Sequence, residues 1–180
     1  VSILSIDLEF RYSVPEASAG NQLAQGYPAD SLGGWLSTTV KAAAGLLNDL
    51  FEDIDGDDNA SYVTEYRCLF FLNKNGTFTL TSAVVWLSGV TAGGANIAIG
   101  VDPTAASALN SNTVQALAVL NVNTEPPGVD FSAPTTSGAG LSLGDIPPGS
   151  CKAIWIRRAA ANTAALSNDS LGLSCQGNSL

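Results

Sequence analysis

The chain has 180 residues, a formal net charge of −9 and no histidine; 46% of its residues are hydrophobic and 13% are charged, about half the usual charged share of roughly 25%. That length supports one domain with a sizeable core. The 7 Lys and Arg residues are scattered and cannot build the cationic footprint a free nucleic-acid binder needs. The missing histidine removes Ser-His-Asp, Cys-His and His-based metal sites.

Residues 1–10 lack a basic start and carry Asp7 and Glu9, unlike a secretion signal. The chain starts with Val and contains no Met, which suits loss of an initiator Met from a product made in a cytoplasm; a processed N-terminus is the alternative. No apolar run approaches the roughly 20 residues of a membrane-spanning helix.

In residues 3–10, Leu4, Ile6, Leu8 and Phe10 alternate with Ser5, Asp7 and Glu9, which predicts a half-buried strand. Residues 11–34, with Pro15, Gly20, Gly26, Pro28, Gly33 and Gly34, read as a long loop; such a loop suggests an arm that orders on a partner. Residues 35–51 admit a short helix with Leu46, Leu47, Leu50 and Phe51 on its apolar side, against the preference of its β-branched start. Trp35 then either staples the arm to its own domain or anchors a partner.

The acidic run 49–59 (DLFEDIDGDDN) places Asp53, Asp55 and Asp57 at alternate positions, like the start of a calcium loop. Its glycine, Gly56, comes fourth rather than sixth, and Thr64 stands where the twelfth position requires Glu. A solvated acidic turn between a helix and a strand is the reading favoured over a calcium loop.

From Tyr62 onward strand signals dominate. In YVTEYRCLFFLN, Tyr66, Cys68 and Phe70 share one face and Arg67, Leu69 and Phe71 the other; apolar groups on both faces predict a central strand. Asn75-Gly76 signals a hairpin turn. Residues 77–88 supply one or two strands with Trp86 as core anchor, and residues 96–102 another. Residues 103–113 form a polar loop; 114–122 are strand-like, with helix an alternative, and end at Pro126-Pro127-Gly128.

Residues 131–135, 140–146, 151–159 and 170–177 complete the series. Pro147 and Pro148 preset the turn 144–149 and define where the next strand restarts. That strand puts Ala153, Trp155 and Arg157 on one face and Ile154, Ile156 and Arg158 on the other. Arg157 and Arg158 beside Trp155 suit either a carboxylate-recognition patch or a strand end with one Arg packed along its stem and one solvated.

Short strands with turn signals every roughly 8–12 residues predict an all-β fold. The expectation is an antiparallel β-sandwich, immunoglobulin-like or jelly-roll. Residues 1–60 would supply a strand, an extended arm and one short helix, and residues 61–180 the sandwich. Cys68, Cys151 and Cys175 lie in strand-like runs without metal-ligand spacing and are expected as buried thiols; a Cys151–Cys175 bridge is the pairing to check.

Residues 89–100 lack the helix and Lys of a phosphate-cradling loop. An acid pair would have to come from Asp102, Asp130 or Asp145, which nothing in the sequence brings together. The expectation is a protein that is not an enzyme and takes no cofactor and no metal.

The segments EYRCLFFLNKNGTFTL (65–80), VVWLS (84–88), NIAIGVDP (96–103) and FSAPTTSGAG through SCQG (131–177), with SLGGWLST (31–38) and DLFEDIDGDD (49–58), resemble a group of small tailed-bacteriophage virion proteins. The resemblance covers most of residues 30–177 and involves no catalytic motif. It implies a β-rich structural protein, made in the bacterial cytoplasm and built into the virion, with the capsid surface favoured. A decoration or cement protein of this kind would bind the major capsid protein through residues 1–60 and the sandwich loops, and would self-associate, a trimer being favoured. The expected contact residues are Phe10, Arg11, Leu32, Trp35 and Arg157, with no nucleic acid and no membrane as partner. The alternatives are a tail or head–tail junction component, and a carbohydrate-binding module. The last needs an exposed aromatic platform, whereas the strand phases put Trp86 and Trp155 inside.

Overall fold

The two strands with apolar side chains on both faces form the centre of the molecule. A computed structural model describes residues 2–15, 24–41, 46–167 and 169–179. Thr64–Asn73 (β3) pairs along its whole length with Ser150–Ala159 (β9), from Thr64 opposite Ala159 to Asn73 opposite Ser150. Leu8–Val14 (β1) lies on the other side of β3, followed by Gly33–Val40 (β2) and the short Ala116–Ala118 (β7); Asn96–Val101 (β5) and the two-residue Ser107–Ala108 (β6) pair with β9. A smaller sheet, ordered β10-β4-β8, consists of Leu80–Val90 (β4), Leu141–Ile146 (β8) and Leu171–Ser179 (β10). All strand pairings among the described residues are antiparallel, so the fold is an antiparallel β-sandwich.

Alternation along β3 and β9 feeds two cores. Leu69, Phe71, Ile154 and Ile156 pack with Val85, Leu87, Leu143 and Ile146 of the smaller sheet. On the other face Tyr66, Cys68, Phe70, Ala153 and Trp155 pack with Ala116 and Val129, joined by the partly buried Leu109, Leu117 and Phe131. The larger sheet is therefore the middle of three layers, with irregular chain from 102–135 forming the third. Phe70, Ile154 and Ile156 are fully buried, and burial of each such side chain contributes about 1.5–3 kcal/mol.

The Pro147-Pro148 turn passes the chain from the smaller sheet to the larger, closed by Ser150 N–H donating to Pro147 O at 3.1 Å. Asn75-Gly76 does not make the expected hairpin, because β3 and β4 belong to different sheets. The turn is a crossover instead: the Asn75 side-chain oxygen accepts from Thr77 N at 2.9 Å and Phe78 N at 2.8 Å.

The N-terminal third departs most from expectation. Residues 5–7 form a 3-10 turn and the strand begins at Leu8, leaving Leu4 and Ile6 59% and 74% exposed. β1 then runs to Val14, into the stretch read as loop. The expected helix over 35–51 is β-strand as far as Val40, where the β-branched Thr38, Thr39 and Val40 prefer the pleated backbone; its residues 42–45 lie outside the described set. Trp35 is therefore a strand residue. The α-helix among the described residues is Gly56–Ala60 (α1), capped where Asp55 accepts from Asp58 N at 2.8 Å. Because β1 and β2 bond into the same sheet as β3 and β9, the 60/61 boundary does not separate two bodies of packing.

Gly33 and Gly34 allow this course. Both have positive φ, +89° and +92°, and a Cβ on Gly33 would sit 1.7 Å from Leu117 O. Further along, the strand expected over 114–122 shrinks to the three residues of β7. Trp86 points outward and is half-buried, while Val85 and Leu87 on either side of it enter the core. All three cysteines are free thiols; Cys151 and Cys175 lie in different sheets and form no bridge.

Candidate interaction surface

Charged and polar groups in the interior are committed to the fold. Asp102, fully buried at the end of β5, accepts through Oδ2 from Trp155 Nε1 and Leu117 N, and through Oδ1 from Thr104 N, each at 2.9 Å. Lys152 donates to Asp102 O at 2.7 Å and also to Thr104 O. Burial pushes its amine below the ordinary value, against the opposing pull of Asp102. Asp102 thus ties the end of β5, β9 and the segment entering β7 together.

A second internal network joins β1 to β3. Ser31 Oγ accepts from Ser13 N at 2.9 Å and donates to Cys68 O at 2.5 Å, and Ser13 Oγ accepts from Gly33 N at 2.9 Å. Neither network presents a group to a substrate. Asp145, a second candidate acid, lies exposed on β8 and accepts from Ser82 N at 2.9 Å, in a different layer from Asp102. Asp130 is exposed. Among the described residues, no group of three or more His, Cys, Asp or Glu side chains is arranged to hold a metal ion. Burial pushes the Cys151 thiol up to about 12 and the Cys68 thiol well above its ordinary value, which leaves both protonated and unreactive.

The five expected contact residues do not form one patch. Phe10 packs on Phe71 with ring centroids 5.2 Å apart and serves the core. Arg11 pairs with Glu9 at 2.6 Å and donates to Ser37 O at 3.4 Å. Burial raises the Glu9 carboxyl, but bonds from Lys74 and Arg11 outweigh it and hold the group low. Leu32 is half-buried, its carbonyl accepting from Val119 N at 3.0 Å. Trp35 is half-buried on β2, and its indole N–H is buried without an acceptor among the described residues. Arg157 lies on β9 with its guanidinium over Phe131, 5.2 Å from the ring centroid, and its Nε–H likewise lacks a described acceptor. Its neighbour Arg158 stacks on Phe51 at 4.6 Å and pairs with Glu65, so neither arginine is simply solvated.

The surface that stands out lies elsewhere, between residues 24–31 and 46–55. Leu50 and Phe51 enter the core, and Tyr12 Oη donates to Asp49 O at 2.5 Å, fixing this loop on the larger sheet. Asn48, with φ of 58°, turns the chain so that Leu46 and Leu47 point out, 70% and 78% exposed, near Tyr27 at 56%. A groove of about 410 Å³ runs between these side chains and Thr39. It adjoins a second of about 550 Å³ bounded by Glu52, Asp53 and the buried Arg67. Arg67 is held by Nε–H donating to Leu50 O at 3.0 Å, and burial lowers its basicity despite the nearby Glu65 and Glu52. The sequence reading grouped Leu46 and Leu47 with Leu50 and Phe51 as one apolar face. It missed Tyr27, which carries no periodic signal.

Compared with family models, curated proteins and solved structures, the chain matches none of them.

Proposed function

We propose that this chain is a non-catalytic structural protein of a bacteriophage particle, a capsid decoration protein that binds the major capsid protein and stabilises the shell. The observation that carries the reading is the Tyr27–Leu46–Leu47 groove. Its large apolar side chains are exposed in one place, inside the N-terminal 60 residues from which shell contact is expected, while the buried ionic groups are spent on the fold. Exposed apolar side chains gathered around a concavity favour a protein partner over a small polar substrate. The action would be mechanical: many copies, each adding buried area across capsomer junctions, raise the barrier to shell opening through avidity.

Particles assembled without the chain should bind purified protein in a co-sedimentation assay and gain resistance to heat. Leu46→Asp with Leu47→Asp should weaken that binding at least tenfold while leaving the melting temperature of the free chain unchanged. Cryo-EM should then show density repeated over the icosahedral shell. Density confined to the portal or tail axis would move the protein to a head–tail junction role, and absence from the particle would overturn the reading. Trp86 is half-buried on the outer face of the smaller sheet, paired in register with Ser174 rather than with another aromatic residue. One such ring does not make the aromatic platform a carbohydrate-binding module requires.

A further inference from the structure

We propose that β10 is a pairing edge for a second copy of this chain, joining two smaller sheets into one across a two-fold axis near Ser174. The inference concerns the free chain and does not rest on the shell reading.

The sheet edges among the described residues are not alike. On the outer side of β5, Ile99 N donates to Ser132 O at 2.8 Å and Ser132 N to Ile99 O at 3.0 Å, which closes that edge. β7 is three residues long. β8 carries Asp145 and is interrupted by Gly144 at a φ of +72°, both features that discourage strand addition. β10 has none of these guards. It is nine residues long, LGLSCQGNS, without a charge or a proline. It bonds to β4 along one side, and no described residue bonds to its backbone from the other. An antiparallel strand directs the N–H and C=O of every second residue to the same side, so a row of donors and acceptors there has no backbone partner among the described residues.

The core beneath this edge is also incomplete. Leu171, Leu173 and Cys175 pack on the main core yet remain half-buried. Opposite Cys175 and Leu173 on β4, Val85 and Leu87 are 0% and 2% exposed, whereas Val90 opposite Leu171 is itself exposed. A further strand beside β10 would finish covering them.

The sequence of β10 suits a copy of itself. With the axis at Ser174, antiparallel pairing sets Leu173 opposite Cys175 on the core side and Gly172 opposite Gln176 on the outer side. Leu171 then faces Gly177, so Leu173 and Cys175 meet across the pair and no charged side chain faces another, as a self-complementary isologous contact allows. Charge points the same way. A chain of net charge −9 repels its copies over most of its surface, but no Asp, Glu, Lys or Arg lies between Ser170 and Leu180. A different partner would need a charge or a pocket to select it, and β10 offers neither. One strand pair with three half-covered side chains is a small interface, so the association belongs to the weak, concentration-dependent class. It also differs from the trimer that the sequence resemblance implies.

The test is sedimentation equilibrium of the whole chain from micromolar up to about 1 mM, the concentration at which even a weak pair should assemble. It is read alongside hydrogen exchange of the β10 amides. A monomer–dimer equilibrium is expected, with exchange at residues 171–179 slowing as concentration rises. Ser174→Lys sets like charges face to face at the axis and should raise the dissociation constant at least tenfold. Gln176→Lys, at an exposed position, should weaken pairing with an unchanged melting curve, which separates loss of pairing from loss of fold. A monomer throughout the range would overturn the proposal. So would an oligomer indifferent to both variants, or one that leaves β10 exchange unchanged while protecting another surface.

Discussion

Removing the Asp102 carboxylate should destabilise the protein more than any other single polar change in the third layer. In Asp102→Ala, Trp155 Nε1 and Leu117 N lose their acceptor where water does not easily replace it, since Trp155 is fully buried. Thr104 N, in a less covered loop, can be rehydrated. An orphaned buried donor costs about 1–3 kcal/mol, so two cost about 2–6 kcal/mol, a large part of the 5–15 kcal/mol typical of a domain. At a urea slope of about 2 kcal/mol/M the midpoint should fall by about 1–3 M. Trp155→Phe deletes one of the donors, so in the double variant the loss of Asp102 should cost about 1 kcal/mol less or better. Urea titrations of the four proteins, followed by far-ultraviolet circular dichroism, measure both quantities. A loss below about 0.5 kcal/mol for Asp102→Ala, within ordinary surface noise, would refute the claim that this carboxylate pins β5, β9 and β7 together. Strict additivity in the cycle would refute the Trp155 bond as part of it.

Two further predictions follow from local geometry and from titration. Gly33→Ala places a Cβ against Leu117 O at a backbone angle that L-residues resist, so β2 and β7 must separate; a fall in melting temperature well beyond that of Gly76→Ala, where a Cβ meets open space, is expected by calorimetry. On the alkaline side, burial raises Cys68, Cys151 and Cys175, and raises Tyr12 with help from Asp49. The folded state therefore holds protons that the unfolded chain releases. The stability these groups contribute is whole below the ordinary thiol pKa of about 8.5. It falls as pH rises from there toward about 12. Lys152 and Arg67, both lowered by burial, act in the opposite sense, against three thiols and Tyr12. Urea midpoints from pH 7 upward should decline past the thiol range, and Cys151→Ala should flatten the decline; a rising or level profile would contradict the assignment.

Where side-chain periodicity was unambiguous, the sequence carried the fold. In residues 64–73 and 150–159 both faces are apolar, and these became the paired central strands with their phases as read. The N-terminal residues misled because local pattern and tertiary pairing disagree there. Leu4 and Ile6 continue the alternation of Leu8 and Phe10, yet Asp7 accepts from Leu4 N at 2.9 Å and turns the chain before the sheet begins. Residues 33–40 carry two glycines, a loop signal in isolation; in the sheet those glycines let β2 pass close to Leu117 and Val14. The hairpin signal at Asn75-Gly76 reported a real turn, but a turn says nothing about which sheet receives the next strand.

The candidate surfaces were less legible for a related reason. Exposure of an apolar side chain is a property of what fails to cover it, and sequence pattern records what tends to be covered. Leu46, Leu47, Leu50 and Phe51 form one apolar stripe if the segment is helical. Only the left-handed Asn48 and the anchoring of Asp49 by Tyr12 divide them into two outside and two inside. Arg157 and Trp35 illustrate the converse: each drew attention as a lone cation or aromatic, and each is largely absorbed by its own domain, Arg157 over Phe131 and Trp35 beside Val14. The low charged fraction was the sounder clue. A chain with few charges that spends Asp102, Lys152 and Arg67 inside has little left to guard its periphery. An unguarded strand edge at β10 and an apolar groove at Tyr27 are what such a composition leaves on the surface.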